Sequence, residues 1–434
     1  MKKKLFYVFV ALAMMVGFLP AGVPTSVKAS PTTIYVPDNY ATIQAAVNAA
    51  SPGMTIMVRD GTYTENVDVN KAVTIQSVNG ANATIVQAYY PNDHIFDVTS
   101  DNVTISGFNI MGAIGQEKAG IYLGNGVKQG IIVNNHISGN NRGIILYYSS
   151  NNTISANDIS SVTSASGYLG TGIVLDNANG NVIRKNAIKS NTYYGVKLYF
   201  ATYNRIEGND ISNNYGGIYM DRGQYNTVTG NNIANITTFW GYGISMQGAN
   251  NYGNTIYLND FANRYNTSMV APDSNNIWSF PETLPYRYGG IQHTNYLGNY
   301  WDNYTGTDAN NDGIGDSPYA IGGNYANSDN YPLKATIQNY EIGAPAPTPP
   351  TVTTDNVTNI TSNSARLNGT LTSLGSAASA NVSFEYGTTT SYGSTTAAQP
   401  MTATGSFSAN LTGLSANTTY HFRAIMVLIR LSPP

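Results

Sequence analysis

A glycine followed three residues later by Leu or Met recurs along the middle of the chain, and this repeat limits the possible folds more than any other feature. The glycines are Gly120, Gly143, Gly172, Gly195, Gly217 and Gly243. The Leu and Met residues are Leu123, Leu146, Leu175, Leu198, Met220 and Met246. Successive glycines lie 22 to 29 residues apart, a period also found in leucine-rich repeats. The apolar residues, however, alternate at i and i+2, which is typical of strands. The repeat therefore predicts short strands that bury their apolar sides by stacking on the next coil.

The second half of each repeat places an asparagine between two apolar residues. The asparagines are Asn135, Asn157, Asn186, Asn209, Asn231 and Asn259. Asn tolerates the left-handed backbone of a tight corner, and inward amides stacked about 4.8 Å apart can hydrogen-bond along the row. We interpret the row as structural; in the first full coil Phe108 stands at the Asn position. The chain is predicted to be all-β, with a single-stranded right-handed parallel β-helix over residues 67–262.

The segments on either side of the coils read as caps. In residues 31–66, a strand at Ile34–Val36 precedes an amphipathic helix at 42–50, and strands begin again at Thr55–Val58. This arrangement resembles the N-terminal cap of pectin-lyase-like β-helix proteins. Residues 263–340 leave the repeat and read as a C-terminal cap.

Three motifs in the C-terminal cap carry a more specific resemblance. They are GNYWDNYTG at 298–306, DGIGDSPY at 312–319 and DNYPL at 329–333. With the coils, they resemble the NosD family of periplasmic or surface β-helix proteins over roughly residues 31 to 335. The resemblance implies an exported β-helix and, for the named member, delivery of copper to nitrous oxide reductase. Copper is bound by Cys, Met or clustered His, and the residues alone do not predict such a site. The four histidines are scattered: His94, His136, His293 and His421.

Composition points to an exported chain. Only 10% of the residues are charged, the formal net charge is −3 and there is no cysteine. These values argue against a nucleic-acid-binding face and exclude thiolate catalysis and disulfides. Residues 1–29 begin with lysines at positions 2–4, followed by an apolar run and a small-residue cleavage site, which predicts a signal peptide. No later stretch is apolar enough to predict a transmembrane helix, so we predict a secreted, surface or envelope protein.

A loop in the C-terminal cap has the composition of a calcium site. Its side-chain ligands would stand at positions 1, 3, 5 and 9 of D-x-N-x-D-G-x-x-D, with a backbone carbonyl at position 7. The predicted ligands are Asp308, Asn310, Asp312, Ile314 and Asp316. Position 12 is Tyr319 and not Glu, so the loop is not an EF-hand. A solvated Asp/Asn/Gly turn is the alternative.

A second, smaller domain follows a proline-rich linker at residues 343–350. Alternating strands in residues 351–434 resemble a fibronectin type III module, with Tyr420 where the tyrosine corner is expected. The final strand of such a module is missing from the sequence, which predicts a truncated β-sandwich with an open sheet edge.

The irregular coils suggest where a ligand binds. Outward rows on the Gly-Ile-x-Leu strands are predicted to run Val174, Lys197, Tyr219 and Asp176, Tyr199, Asp221. Two long turns, carrying Tyr168 with Leu169 and Phe239 with Trp240 and Tyr242, would flank these rows. The predicted ligand-binding residues are Lys197, Tyr199, Tyr219, Asp221 and Trp240.

Aromatic and carboxylate groups on such a floor suit a glycan, so the leading hypothesis is a non-catalytic glycan-binding or envelope protein. The alternative is a polysaccharide hydrolase or lyase, with Asp176 and Asp221 about 9.6 Å apart at the backbone as candidate carboxylates. A structural envelope component and a periplasmic copper-processing protein remain further alternatives.

Overall fold

The computed structural model describes residues 4–6, 33–163, 170–248, 250–269, 275–322, 324–342, 350–375 and 379–427. The chain divides into two compact units. One comprises Lys28–Gly343, and the other comprises Ala344–Pro434 together with Met1–Val27. In the described part of the chain, no helix has the length and apolar character needed to cross a membrane.

The first unit is built from three parallel sheets that the chain visits in turn. Sheet I contains Thr33–Val36, Thr55–Val58, Thr74–Ser77, Thr104–Ser106, Ile131–Val133, Thr153–Ser155, Val182–Arg184, Arg205–Glu207, Thr227–Thr229 and Thr255–Tyr257. Sheet II contains Gly61–Thr64, Thr84–Gln87, Asn109–Met111, His136–Ser138, Asp158–Ser160, Ala187–Lys189, Asp210–Ser212, Asn232–Ala234, Asp260–Ala262 and Tyr300–Trp301. Sheet III contains Val67–Val69, Phe96–Val98, Ala119–Leu123, Arg142–Tyr147, Thr171–Asp176, Tyr194–Tyr199, Gly216–Asp221, Ile244–Gln247 and Thr267–Met269.

Each strand pairs with the equivalent strand of the coil before it and the coil after it, so the unit is a parallel β-helix of about ten coils. This confirms the predicted all-β class. The strand pairing begins at Thr33 and reaches Trp301, so strands of all three sheets also lie inside the segments predicted as caps.

Apolar residues form inward rows because alternate strand positions face the core. In sheet III, Leu146 pairs with Leu175 and Leu175 with Leu198, and all three are fully buried. Each such side chain contributes about 1.5–3 kcal/mol to stability through burial. The repeated glycine allows close approach of the coils, since a Cβ at Gly143 would lie 2.3 Å from the carbonyl oxygen of Gly172.

The predicted asparagine row forms a hydrogen-bonded ladder at the corner between sheets I and II, called ladder 1 here. Asn209 is typical: its Nδ2 donates to Asn231 Oδ1 at 2.9 Å and to the Ile183 carbonyl at 2.9 Å. Phe108 takes part through its backbone N–H, which donates to Asn135 Oδ1 at 3.0 Å. Ladder 1 continues to Asn299, whose backbone N–H and Nδ2 both donate to Asp329 Oδ2.

The sequence assigned the left-handed corner backbone to the asparagines of ladder 1, and this assignment is wrong. The left-handed backbone belongs to the residue before each ladder asparagine and not to the asparagine itself. The left-handed residues are Asn134, Ala156, Lys185, Gly208, Gly230 and Leu258. The asparagines are therefore required for their amide hydrogen bonds, and the corner strain lies one position earlier.

Two further asparagine ladders occupy the other corners. Ladder 2, between sheets III and I, comprises Asn152, Asn181, Asn204, Asn226, Asn254 and Asn276. Ladder 3, between sheets II and III, comprises Asn140, Asn191, Asn214, Asn263 and Asn266. Ladder 3 ends where Asn266 Nδ2 donates to Asp302 Oδ1 at 2.7 Å and to Asn303 Oδ1 at 2.9 Å. Two of the three ladders thus end on a carboxylate, a group that can accept without needing to donate.

The N-terminal end is covered by the helix Ile43–Ala49. The Thr42 side chain and the Glu65 carboxylate accept from the first-turn N–H groups of this helix, and Lys71 Nζ donates to carbonyls in its last turn. These partners satisfy groups that have none within the helix.

At the other end, the Trp301 ring stacks between Phe261 and Tyr319, with ring centroids 4.4 and 4.3 Å away. The remaining elements of this cap are the strands Leu284–Tyr288, Ile291–Asn295, Tyr319–Ile321, Asn324–Asp329 and Glu341–Ile342, and the short helix Ile337–Asn339.

The second unit is a small antiparallel assembly with its own buried core. One sheet contains Thr351–Thr354, Ser364–Ser373 and Gly405–Thr412. The other contains Ala380–Gly387, Ser394–Thr395, Gln399–Met401, Tyr420–Val427 and Lys4–Phe6. The edge of Tyr420–Val427, predicted to be open, is paired with Lys4–Phe6. The other residues of the predicted signal peptide lie outside the described residues. The Tyr420 hydroxyl accepts from the Ser415 N–H at 3.1 Å.

Candidate functional site

The outer face of sheet III carries parallel rows of side chains, and their register follows from the strand pairing. The middle row runs Asp68, Asp97, Tyr122, Ile145, Val174, Lys197, Tyr219 and Ser245. A second row runs Tyr147, Asp176, Tyr199, Asp221 and Gln247. Asp176 and Asp221 are thus two coils apart, with Tyr199 between them.

A groove of about 620 Å³ crosses five successive coils of this face. At a coil spacing of about 4.8 Å, its two ends lie about 19 Å apart. Its lining consists of His94, Asp97, Gln116, Glu117, Lys118, Tyr122, Arg142, Ile145, Tyr147, Val174, Asp176, Lys197 and Tyr199. Ile145 and Val174 form an apolar floor and are each 8% exposed. Charged and aromatic side chains surround this floor, so the groove is amphipathic along its length.

At one end of the groove, burial shifts the pKa of a histidine and of a carboxylate. The His94 Nδ1 atom accepts from the Ala119 N–H at 3.0 Å, and the ring stacks on Tyr122 at 4.4 Å. Burial, together with Lys118, lowers the pKa of His94 to about 4, so the imidazole is neutral at pH 7. Burial raises the pKa of Asp97, with Asp68 and Asp93 adding to the effect. Asp97 Oδ1 is buried and has no hydrogen-bond partner in the described part of the chain.

The opposite half of the groove carries two cations. Arg142 is 6% exposed, and its guanidinium donates to Thr171 Oγ1 at 3.0 Å and lies 3.9 Å from Glu117 Oε1. Lys197 Nζ lies 5.6 Å from the Tyr199 ring centroid and 5.8 Å from that of Tyr219. Burial lowers the pKa of Lys197, the charge of Arg142 adds to this, and nearby carboxylates oppose it. Among the described residues, no carboxylate lies within ion-pair distance of Lys197. A desolvated ammonium without an anionic partner is costly, which makes this position suitable for an acceptor on a ligand.

The structure places four residues of the expected rows in the groove: Val174, Asp176, Lys197 and Tyr199. The groove extends from them toward the N-terminus, however, and not toward Trp240. Tyr219 packs on Tyr194 at 4.7 Å, and Asp221 lies 3.7 Å from Arg222 Nε. These two residues and Trp240 are not part of the groove lining.

One predicted wall lies outside the described residues, and part of the groove lining was not predicted. The wall residues Tyr168 and Leu169 lie outside the described residues. The groove residues that the sequence did not indicate are His94, Asp97, Gln116, Glu117, Lys118, Tyr122, Arg142, Ile145 and Tyr147. Phe96-Asp97-Val98 lacks the repeat glycine, so its place in the outward row becomes visible only from its pairing with Ile121–Leu123.

Comparison with known proteins identifies the family. The model of the family described as "Periplasmic copper-binding protein (NosD)" matches residues 47–171 and 161–306, which is more than half of the chain. The chain belongs to the NosD family. None of the curated proteins compared with it matches this NosD-family chain.

Solved structures of other proteins match part of the chain. The pectate lyase Pel9A is 15% identical, covers 54% of this chain and 72% of its own, and has a TM-score of 0.38. The alginate lyase from Paenibacillus sp. str. FPU-7 is 19% identical, with coverages of 56% and 97% and a TM-score of 0.33. The DFA-IIIase from Arthrobacter chlorophenolicus A6 is 14% identical, with coverages of 57% and 68% and a TM-score of 0.43. These similarities are too distant to carry an argument about activity.

The NosD description implies copper, and the side chains of this chain do not fit a copper site. His136 Nδ1 pairs with Asp158 at 3.1 Å, and the His293 ring packs against Tyr286 with centroids 5.4 Å apart. His94 is committed to the Ala119 N–H, and His421 belongs to the second unit. Within the described ranges, no three His, Cys, Asp or Glu residues form a metal-binding group. We therefore derive no chemistry through copper.

The predicted calcium loop turns its side chains onto its own backbone. Asp308 accepts from the N–H groups of Asp312 and Gly313, and Asp312 Oδ1 accepts from the Ile314 N–H at 2.8 Å. The Tyr286 hydroxyl donates to the Asp312 carbonyl at 2.8 Å. The Asp316 carboxylate instead accepts from Thr307 Oγ1 and the Ala309 N–H. The loop is therefore compact and held by its own hydrogen bonds. The Asp316 carboxylate faces Thr307 and Ala309 and not the turn around Asp312.

Proposed function

We propose that this NosD-family β-helix binds an extended glycan along the groove of sheet III, as a non-catalytic protein of the cell surface or envelope. The observation that carries the proposal is the groove itself: five coils long, with an apolar floor and aromatic and charged walls. A rigid surface of about 19 Å matches several sugar units laid end to end.

The lining offers both kinds of contact that a sugar makes. The Tyr122 ring stacks between His94 and Tyr147, with centroids 4.4 and 6.3 Å away, and this aromatic strip can pack against sugar C–H groups. Lys197 and Arg142 can donate to hydroxyl or carboxylate oxygens. The Asp97 carboxylate also lines the groove and can accept from a sugar hydroxyl. Because strands carry all of these groups except His94, little ordering entropy is lost on binding.

Binding is favoured over catalysis by the placement of the carboxylates. A hydrolase that inverts configuration needs two carboxyl groups about 6.5–9.5 Å apart across the scissile bond. Of the expected pair, Asp176 lines the groove and Asp221 does not. The hydrolase or lyase alternative predicts release of reducing ends or unsaturated products from a bound glycan. The copper-processing alternative is supported by the family description alone.

Truncating the groove aromatics is expected to weaken glycan binding. In affinity gels containing polygalacturonate, alginate, xylan or inulin, the full chain should be retarded by at least one of them. Tyr122→Ala and Tyr199→Ala should each raise the dissociation constant about tenfold, corresponding to loss of about 1.4 kcal/mol of aromatic contact.

The matched control is Tyr203→Ala. Tyr203 is 51% exposed and lies outside the groove lining, so its removal should leave retardation unchanged. The proposal would be abandoned if no glycan retarded the wild-type chain, or if Tyr203→Ala were as damaging as Tyr199→Ala.

Calcium is proposed as a ligand of the loop at 308–314, supported by the arrangement of Asp308, Asn310 and Asp312 around one turn. Extracellular calcium modules bind in the range of about 0.1–1 mM. Titration calorimetry of Ca²⁺ into the full chain should show one site in that range, and Asp312→Ala should remove it. Asp158→Asn, at an exposed position of sheet II, should leave calcium binding unchanged. Absence of heat with the wild-type chain would contradict the proposal.

A further inference from the structure

A second cavity, separate from the groove, lies at the C-terminal end of the β-helix. It has a volume of about 490 Å³. Its lining consists of Arg264, Tyr265, Asn266, Thr267, Asn303, Tyr304, Thr305, Gly306, Ser317, Pro318, Tyr319 and Ala320. None of these residues belongs to the groove. Two of the three sequence motifs that resemble NosD supply two of its walls, because 303–306 belong to GNYWDNYTG and 317–319 to DGIGDSPY.

The wall formed by these motifs is rigid. The Tyr304 hydroxyl donates to the Ser317 carbonyl at 2.6 Å. A Cβ at either Gly306 or Gly315 would lie 2.0 Å from that hydroxyl oxygen, so the ring is held between two glycine backbones. Lys334 Nζ covers the ring at 5.2 Å from its centroid. The cavity is therefore pre-formed and does not require ordering by a ligand.

An aromatic turn, defined as residues 238–242, stands beside this cavity. Phe239 is 59% exposed and Trp240 is 68% exposed, and their ring centroids are 4.9 Å apart. The turn is fixed by Thr238 Oγ1, which donates to the Tyr215 carbonyl at 2.7 Å. Gly241 admits no side chain, since a Cβ there would lie 1.9 Å from the same carbonyl oxygen. Two large aromatic side chains are thus held in solvent by a constrained backbone.

Arg264 connects the aromatic turn to the cavity. Its guanidinium carbon lies 5.4 Å from the Phe239 ring centroid and 5.3 Å from that of Tyr265, and both Arg264 and Tyr265 line the cavity. In the described part of the chain, Arg264 has no carboxylate within ion-pair distance. Stacking between two rings fixes the direction of the guanidinium donors.

We propose that this cavity and the aromatic turn bind a pyranose unit of a glycan, at a site separate from the groove. Exposed aromatic rings offer a face for sugar C–H groups. Arg264, Asn303, Thr305 and Ser317 offer donors and acceptors for hydroxyl groups. A peptide is a poorer fit, because Pro318 and Ala320 are the aliphatic residues among the twelve in the lining. The inference extends the proposed function, since the second site does not depend on the groove.

The emission of Trp240 offers a direct test with the full chain. The chain has three tryptophans, and the other two, Trp278 and Trp301, are 3% and 1% exposed. Quenching by iodide therefore reports mainly on Trp240. Cellohexaose, chitohexaose, xylohexaose and hexagalacturonate are the probes. We expect at least one of them to protect the emission from iodide and shift it to shorter wavelength. Trp240→Phe should abolish this response, and Arg264→Gln should raise the half-saturating concentration at least tenfold.

Controls separate this site from the groove. Arg184→Gln alters an exposed arginine at the end of a sheet I strand and should leave the response unchanged. Lys197→Met, in the groove, should also leave the Trp240 response in place even if gel retardation is lost. The inference is overturned if no oligosaccharide alters the emission at millimolar concentration, or if Lys197→Met removes the response and thereby assigns it to the groove.

Discussion

Asn209→Leu is expected to destabilise the β-helix by about 4 kcal/mol, although the two side chains have the same number and branching of heavy atoms. Asn209 is 1% exposed and takes part in ladder 1 as both donor and acceptor. Leucine would leave the Asn186 N–H, one Asn186 amide hydrogen and the Ile183 carbonyl without their partner. Each buried polar group without a partner costs about 1–3 kcal/mol.

The neighbouring asparagine provides the control. Asn232 lies on the exposed face of sheet II, where its Nδ2 donates to Asp210 at 3.1 Å. Asn232→Leu should shift stability by less than about 0.5 kcal/mol. Urea unfolding followed by the buried residues Trp278 and Trp301 measures both variants, because both tryptophans belong to the first unit. Equal unfolding midpoints for the wild type and Asn209→Leu would show that ladder 1 does not contribute to stability.

The ladders also show how far the sequence predicts the fold. The i, i+2 alternation and the repeat glycines were sufficient to predict the parallel β-helix, since both follow from stacking strands. Ladder 1 was visible because its asparagines stand between two apolar residues. Ladder 2 had an equally regular signal, an asparagine two positions before an apolar residue, as in Asn181-Val182-Ile183 and Asn204-Arg205-Ile206. In a turn, such asparagines resemble ordinary turn residues. Only the stacking of the coils shows that their side-chain amides hydrogen-bond to one another in a row.

The groove was less predictable than the fold. Lys197 and Tyr199 were placed correctly on the outer face because the strand period assigns them there. Asp97 lies in a coil that lacks the repeat glycine, so the sequence does not show which residue faces which neighbour. Arg142 directly precedes the repeat glycine Gly143, a position that the predicted outward rows did not include. Trp240 was expected at the groove because its turn is long, but the length of a turn does not fix its direction. In the structure, the Trp240 ring contacts Phe239, and Phe239 leads to Tyr265 and the second cavity.

Two buried titratable groups are expected to give the β-helix opposite dependences of stability on pH. Asp329 is fully buried at the end of ladder 1, and its carboxylate accepts from Asn299, Trp301 and Tyr331. Burial outweighs these hydrogen bonds and raises the pKa of Asp329 to about 6. The folded state therefore binds this proton more tightly than the unfolded state. The resulting stabilisation is complete below pH 3.8 and is lost as the pH rises through about 6.

His94 has the reverse effect. Its pKa falls from 6.5 to about 4, because burial and the positive charge of Lys118 favour the neutral ring. The unfolded state therefore binds this proton more tightly. The stabilisation from His94 is complete above pH 6.5 and is lost as the pH falls toward about 4. Between pH 7 and pH 4.5, the two contributions are each about 2 kcal/mol and opposite in sign.

Single variants should separate the two contributions. Asp329→Asn retains an acceptor for Asn299 and Trp301 but cannot take up the proton, so the wild type should gain about 2 kcal/mol over this variant between pH 7 and pH 4.5. His94→Asn retains an acceptor for the Ala119 N–H, and the wild type should lose about 2 kcal/mol relative to this variant over the same interval. The measurement is the urea midpoint at pH 4.5, 5.5 and 7, followed by tryptophan emission. The comparison cancels every carboxylate that the wild type and the variant share. A free-energy difference between wild type and Asp329→Asn that stayed constant with pH would mean that Asp329 is ionised throughout, and that ladder 1 ends on a charge which its hydrogen bonds fully stabilise.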